Sequence, residues 1–198
     1  FEVQAGMDVR AVRREYGREL RMWYGIDKRV LAQSREAIDA ELARVEPLMR
    51  EGGYIPGTDH SIEFWVRTTG SGDGIVSYAR SGADNEMLIF EPNNLAPHIN
   101  QQRVNSGVDI NDGRWHHVVT TWRNSDGQLE VYQDGLRQFV TTGIKTGVTL
   151  QGGGALLLAQ EQDAVGGGFN NSQKLVGDLD EVALYGRVLS ADEIARHY

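Results

Sequence analysis

The sequence predicts a mainly β chain, an antiparallel β-sandwich preceded by an N-terminal α-helical segment. Apolar residues recur at helical spacing before about residue 57 and at alternating positions after it. Glycine is abundant, at 24 of 198 residues, which favours a turn-rich β architecture. We therefore assign residues 1–57 to a helical segment and residues 58–198 to a β domain.

The N-terminal segment carries the apolar stripe of an amphipathic helix over residues 7–50. Val9, Val12, Tyr16 and Leu20 follow one another at steps of three or four, and the pattern continues further along the segment. A stretch containing Gly and Pro then ends it. Two interpretations stay open: the helix packs on the β domain, or it mediates oligomerisation as a coiled coil.

After this segment the period of the apolar positions changes to two. Candidate strands lie at 61–68, 74–80, 86–91, 116–123, 129–135, 155–160 and 179–186, separated by turns rich in Gly, Asp and Asn. Many short antiparallel strands are typical of a sandwich or jelly roll. Ser190 and Glu193 have the spacing of a capping box, which predicts a short C-terminal helix.

The charge distribution limits the partners of the β domain. Residues 1–57 hold ten acidic and ten basic residues, so the net charge of −8 lies in residues 58–198. An acidic β domain offers no basic stripe to phosphates, so we expect cations rather than nucleic acid as partners. The chain has no cysteine, which excludes disulfides and thiolate metal sites, and no apolar run of membrane-spanning length.

Several segments resemble the laminin-G-like jelly-roll superfamily, which also includes concanavalin A-like folds. They are "DGRWHHVVTTW", "GQLEVYQDG" and "GDLDEVALYGRVLSADEI", and residues 61–196 most closely resemble the pentraxin branch. The most specific part is the pair "SYARSGADNEMLIF" and "QEQDAVGGGFNNSQ". In pentraxins two such segments meet to hold calcium. The resemblance implies a laminin-G/pentraxin-like jelly roll in an extracellular or cell-surface protein.

The oxygen-bearing side chains of these two segments suit Ca²⁺, which takes six to eight oxygen ligands from carboxylates, amides and backbone carbonyls. The resemblance implies a first Ca²⁺ bound by Asp84, Asn85, Glu161, Asp163 and the main-chain carbonyl of Gln162. It implies a second, neighbouring Ca²⁺ bound by Glu161, Asp163 and Gln173. The alternative is a degenerate site kept as scaffold, since acidic loops rich in Gly and Asn are commonly solvated turns.

The chain departs from the pentraxin pattern at three positions. Asn170 stands where the family has an acidic residue, so two Ca²⁺ ions would face only three carboxylates and the second should bind weakly. Glu63 and Val119 stand at the two cysteine positions of the family, so its disulfide is absent. We expect Val119 in the core, and Glu63 either facing solvent or contacting a polar partner.

Three functions are compatible with this sequence. The first is a calcium-dependent, non-catalytic ligand- or carbohydrate-binding module, in which calcium bridges an anionic or carbohydrate ligand. The second is a structural subunit of an extracellular filament or surface assembly, which self-associates through its N-terminal helix. The third is a glycoside hydrolase, because Asp178 and Asp180 share one strand face about 7 Å apart. The chain lacks the Glu-x-Asp-x-Glu or Glu-x-Asp-x-x-Glu motif of the superfamily's glucanases, so we expect that it is not an enzyme.

The tryptophans of the β domain are expected to be structural. Trp65, Trp115 and Trp122 all lie in strand patterns, so we expect them in the hydrophobic core rather than at a binding site.

Overall fold

The computed structural model describes residues 59–198, together with Ser34, Glu36, Ala37 and Ala40. The chain separates into two units between residues 55 and 56, and the fold below is that of the second unit. In the first unit, Glu36, Ala37 and Ala40 have helical backbone. The rest of the predicted N-terminal helix, with its packing or assembly role, lies outside the described residues and stays a prediction. No helix among the described residues is long and apolar enough to cross a membrane.

Residues 59–198 form an antiparallel β-sandwich. Its elements are β1 (His60–Thr68), β2 (Gly74–Arg80), β3 (Ala83–Phe90), β4 (Ala96–Ile99), β5 (Gln102–Arg103), β6 (Trp115–Arg123), β7 (Gln128–Gln133), β8 (Leu136–Thr141), β9 (Ala155–Leu158), β10 (Gly177–Tyr185) and the helix α1 (Ala191–His197). The first sheet has the order β10-β1-β6-β7-β8, and the second β5-β4-β3-β2-β9. All strand pairs are antiparallel, which confirms the predicted sandwich.

The side chains of β1 point alternately to the two faces of the first sheet. Ile62, Phe64 and Val66 are buried and face the second sheet, so Glu63 and Trp65 lie on the opposite, outer face. This outer face is partly covered by α1. Burial of each large apolar side chain between the sheets contributes about 1.5–3 kcal/mol to folding.

The tryptophans do not share one environment. Trp122 is fully buried, and its Nε1 donates a hydrogen bond to the carbonyl oxygen of Ile144 at 2.8 Å, as expected of a core residue. Trp65 is half-buried on the outer face. The prediction that Trp115 lies in the core is wrong: it is the first residue of β6 and is 41% exposed.

Three strands were not predicted from the alternation of apolar residues: β4, β5 and β8. β4 contains Pro97, which lacks a backbone donor and argues against a strand, yet β4 pairs with both β3 and β5. β5 has only two residues. β8 is the edge of the first sheet, and four of its six residues are exposed, so it has no clear apolar alternation.

The C-terminal helix is capped and docked as its sequence predicts. Ser190 Oγ accepts a hydrogen bond from the Glu193 backbone N–H, and Glu193 Oε2 accepts one from the Ser190 N–H, which confirms the capping box. Ile194 is fully buried in a cluster with Val119 and Tyr132. Val119 is therefore a core residue, but in the small core beneath α1.

Glu63 is buried and joins four elements of the fold. It pairs directly with Val119 across β1 and β6, so the two positions of the missing disulfide are neighbours. Its Oε1 lies 2.7 Å from His117 Nε2 and 3.0 Å from His197 Nδ1, and its Oε2 accepts a hydrogen bond from Tyr185 Oη at 2.7 Å. Of the two expectations for Glu63, contact with polar partners is the correct one.

Burial opposes ionisation of Glu63, but the three partners outweigh it. Hydrogen bonds from His117, Tyr185 and His197 lower the pKa of Glu63 to about 2. Because the folded-state pKa lies below the ordinary value of 4.5, this carboxylate stabilises the fold above pH 4.5. The contribution is lost as the pH falls from 4.5 towards 2.

We therefore expect Glu63→Gln to lower the unfolding free energy at neutral pH by about 1–3 kcal/mol, because a side-chain amide has one acceptor oxygen and cannot accept from all three donors. The loss of stability between pH 4.5 and 2 should become shallower in this variant. Urea unfolding as a function of pH measures both effects. Glu181→Gln, which changes an exposed carboxylate on β10, is the control. An unchanged stability and an unchanged acid slope in Glu63→Gln would contradict this account.

Candidate cation site

The two predicted ligand segments meet at the second sheet. Asp84 and Asn85 lie at the start of β3, and residues 161–163 follow the end of β9. β2 lies between these two strands. After β9 the chain passes through Ala159, which has a left-handed φ of 61°, and residues 160–163 turn back towards the sheet. The strand order and this turn bring the two segments together.

Gln162 fixes the turn to the sheet through its side chain. The residue is fully buried. Its Nε2 donates to the carbonyl oxygens of Ser77 at 3.1 Å and Ala155 at 2.9 Å, and its Oε1 accepts from Gly166 N at 2.8 Å. All polar groups of this side chain are thus used within the protein, and the main-chain carbonyl is what Gln162 can offer to a cation.

Two glycines allow close backbone contacts with the loop that carries Glu161 and Asp163. A Cβ atom at Gly74 would lie 2.6 Å from the backbone nitrogen of Glu161. Gly168 has a φ of 71°, and a Cβ atom there would lie 2.9 Å from the Cβ of Asp163. Because Cβ atoms do not tolerate such distances, larger residues at either position would displace the loop that carries Glu161 and Asp163.

Three buried oxygens of the predicted ligands have no hydrogen-bond partner among the described residues: Asn85 Oδ1, Glu161 Oε2 and Gln173 Oε1. An unsatisfied buried polar group costs about 1–3 kcal/mol, so such groups call for an explanation. All three are acceptors, and two of them are neutral amide oxygens. A hard cation satisfies carboxylate and amide oxygens together, so these residues fit Ca²⁺.

The electrostatics of the site also favour a cation. Burial raises the pKa of Glu161, and the nearby charges of Asp163 and Asp84 raise it further. Glu161 is therefore close enough to both aspartates for their charges to oppose its own. Among the described residues, no three Asp, Glu or His side chains could hold a metal ion by themselves. A cation bound here would also need the amide and main-chain oxygens.

Sequence reasoning missed Gln101, which orients the first ligand segment. Its Nε2 donates to Asp84 Oδ1 at 2.6 Å, and its Oε1 accepts from Asn85 N at 3.2 Å. Asn100 and Gln101 both have positive φ in the tight turn between β4 and β5. The signal was weak because such turns are usually recognised by glycine, and "NQ" has none.

Asn170, which stands where the family pattern has an acidic residue, makes hydrogen bonds to a neighbour in the sequence. Its Oδ1 accepts hydrogen bonds from Ser172 N at 3.0 Å and Ser172 Oγ at 2.8 Å. It thereby caps the short 3₁₀ helix Asn171–Gln173, which ends with the predicted ligand Gln173. The amide supports the turn without adding negative charge, so the site has only the three carboxylates already described.

Comparisons with known proteins point to one family. The family model described as "Pentaxin family" matches residues 55–198. Neuronal pentraxin-2 of Homo sapiens is 37% identical over 138 residues, which cover 68% of this chain and 32% of that protein. The Rattus norvegicus protein named sushi, von Willebrand factor type A, EGF and pentraxin domain-containing protein 1 is 34% identical over 166 residues, or 79% of this chain and 4% of the relative.

A solved structure shows the same fold. The native heptameric SAP-like pentraxin from Limulus polyphemus superposes with a TM-score of 0.62 at 24% identity, over 71% of this chain and 70% of that chain. At this identity the likeness concerns the fold alone. The chain spans a minor part of the length of the two curated relatives named above.

The anchoring role of Gln162 has a direct test. Gln162→Leu would leave the carbonyls of Ser77 and Ala155 and the N–H of Gly166 without this partner, so we expect a loss of about 1–3 kcal/mol in unfolding free energy. Hydrogen exchange should also become faster in residues 159–168. Gln138→Leu, at an exposed position of β8, is the matched control. Equal stability and exchange in the two variants would show that Gln162 does not hold the loop.

Proposed function

Because the chain belongs to the pentraxin family, we propose that its β domain is a calcium-dependent, non-catalytic module that binds an anionic or carbohydrate ligand outside the cell. The observation that carries this proposal is the set of buried, unpaired oxygens at Asn85, Glu161 and Gln173. They belong to segments far apart in the sequence, and a solvated turn gives no reason for them to be buried without partners.

The proposed roles of the residues follow from their chemistry. The first Ca²⁺ is held by Asp84, Asn85, Glu161, Asp163 and the main-chain carbonyl of Gln162. The second is held by Glu161, Asp163 and Gln173. Gln101 positions Asp84 and Asn85, as its two hydrogen bonds indicate. Bound calcium would supply open coordination positions at the surface, which a phosphate, a carboxylate or a pair of sugar hydroxyls can complete.

The two sites are proposed to differ in affinity. Asp163 and Glu161 are shared, so two ions would face three carboxylates and a surplus of positive charge. Asn170 adds no charge where the family pattern has an acid. The second ion therefore binds more weakly, or binds together with an anionic ligand that supplies the missing charge.

The ion pair between Asp178 and Arg67 favours ligand binding over glycoside hydrolysis as the function. Its Oδ2 accepts hydrogen bonds from Arg67 Nε at 3.0 Å and Nη2 at 2.7 Å. A carboxylate held in this way is a poor partner for Asp180 in glycoside hydrolysis, where one acid must donate a proton or attack the sugar. Self-association through the N-terminal segment stays a prediction, since that segment lies outside the described residues.

The shared carboxylate gives the sharpest test of the calcium proposal. Wild-type protein should melt at a higher temperature in Ca²⁺ than in chelator, because an ion that binds only the folded state stabilises it. Asp163→Ala should lose most of this difference, while Asp109→Ala, which changes an exposed loop acid, should keep it. Thermal melts of the three proteins with and without Ca²⁺ measure it. An unchanged calcium response in Asp163→Ala would refute the ligand assignment.

Adding a charge at Asn170 should have the opposite effect. Asn170→Asp keeps an oxygen that can accept from Ser172 and supplies the carboxylate that the second site lacks. We expect a second calcium equivalent with clearly higher affinity than in the wild type, measured by equilibrium dialysis. Asn171→Asp places the same charge one residue away and is the control. Equal binding by both variants would mean that residue 170 does not face the second ion.

A further inference from the structure

The outer face of the first sheet contains a pocket separate from the cation site. It has a volume of about 330 Å³ and is lined by Trp65, Trp115, Asp180, Glu181 and His197. These residues come from β1, β6, β10 and the end of α1. The candidate calcium ligands lie instead on or beside strands of the second sheet.

The two tryptophans provide aromatic surface at fixed positions. The ring of Trp65 stacks on Tyr198 at a centroid distance of 5.9 Å and is tilted against His117 at 5.2 Å. Trp115 is 41% exposed, and the guanidinium of Arg67 lies over its ring at 5.3 Å from the centroid. One indole of this pocket therefore already makes a cation–π contact within the protein.

A β-bulge places two consecutive acids beside these rings. The register of β1 and β10 shifts between Glu63 and Trp65, and Asp180 pairs with Trp65. Glu181 has a left-handed φ of 49°. Successive strand residues normally point to opposite faces, but a bulge redirects a side chain, so both Asp180 and Glu181 line the pocket.

These two charges are not neutralised by the rest of the described chain. Within residues 59–198, no basic side chain lies at salt-bridge distance from Asp180 or Glu181. The nearby Arg67 is bound to Asp178. The Nδ1 of His197 faces the carboxylate of Glu63. The pocket thus combines exposed indole surface with two unpaired negative charges.

We propose that this pocket binds an organic cation of the alkylammonium class, such as a methylated ammonium group, independently of calcium. Indole faces attract such a cation through their quadrupole, and desolvated methyl groups pack against the rings. Asp180 and Glu181 supply the balancing charge. A neutral saccharide could also stack on tryptophan and donate hydroxyl hydrogen bonds to the carboxylates, but it leaves their two negative charges uncompensated, whereas a cation balances them.

Titration with tetramethylammonium in the presence of chelator tests this proposal on the full chain. The readout is the indole N–H signals in nitrogen-15 correlation spectra, assigned with single Trp→Phe variants. Saturable shifts are expected for Trp65 and Trp115, and none for the buried Trp122. Asp180→Asn should weaken binding about fivefold, as expected for the loss of one charge pair near the surface. Asp192→Asn, an exposed acid outside the pocket, should bind like the wild type.

Several results would overturn the proposal. Absence of shifts at Trp65 and Trp115 would exclude an ammonium site. Equal shifts with tert-butanol, a neutral molecule of similar size, would show an apolar pocket without selectivity for charge. A response to a neutral trisaccharide but not to tetramethylammonium would make it a glycan site. Shifts that appear only when Ca²⁺ is added would contradict a site that binds independently of calcium.

Discussion

The buried amide of Gln162 is the interaction on which the candidate cation site depends. It ties the loop after β9 to the backbone of β2 and β9, and thereby holds Glu161 and Asp163 near Asp84. Without this anchor, Glu161 would have no reason to remain close to the two aspartates whose charges oppose its own. Gly74 and Gly168 serve the same arrangement, because they permit backbone approaches that a side chain would prevent.

The same site is unfavourable for the protein without a cation. Buried acceptors at Asn85, Glu161 and Gln173 lack partners, and burial together with the charges of Asp163 and Asp84 raises the pKa of Glu161. A protein keeps such an arrangement when it serves a function, since burying apolar side chains in this loop would cost less free energy. Glu63 shows the contrast: it is also a buried glutamate, but three donors satisfy it, so it acts as a structural group that joins two strands to β10 and α1.

Local signals predicted the fold well, and long-range contacts explain what they missed. The capping box at Ser190 involves neighbours in the sequence, so it could be read directly. β4 has no clear strand signal and contains Pro97, which lacks a backbone donor, but the flanking strands β3 and β5 pair with it. Gln101 reaches Asp84 only because β3 and β4 are adjacent. Trp115 fits a strand pattern, but only the structure shows that its ring lies at the exposed end of β6.

The central claim is that the segments around Asn85 and Glu161 form a calcium site. Calorimetric titration of Ca²⁺ into chelator-treated protein tests it most directly. We expect saturable binding, with one tight equivalent and a second that is weak or absent, because Asn170 contributes no charge. Absence of any binding heat, together with a melting temperature that Ca²⁺ does not change, would contradict it and would make the loop a structural remnant.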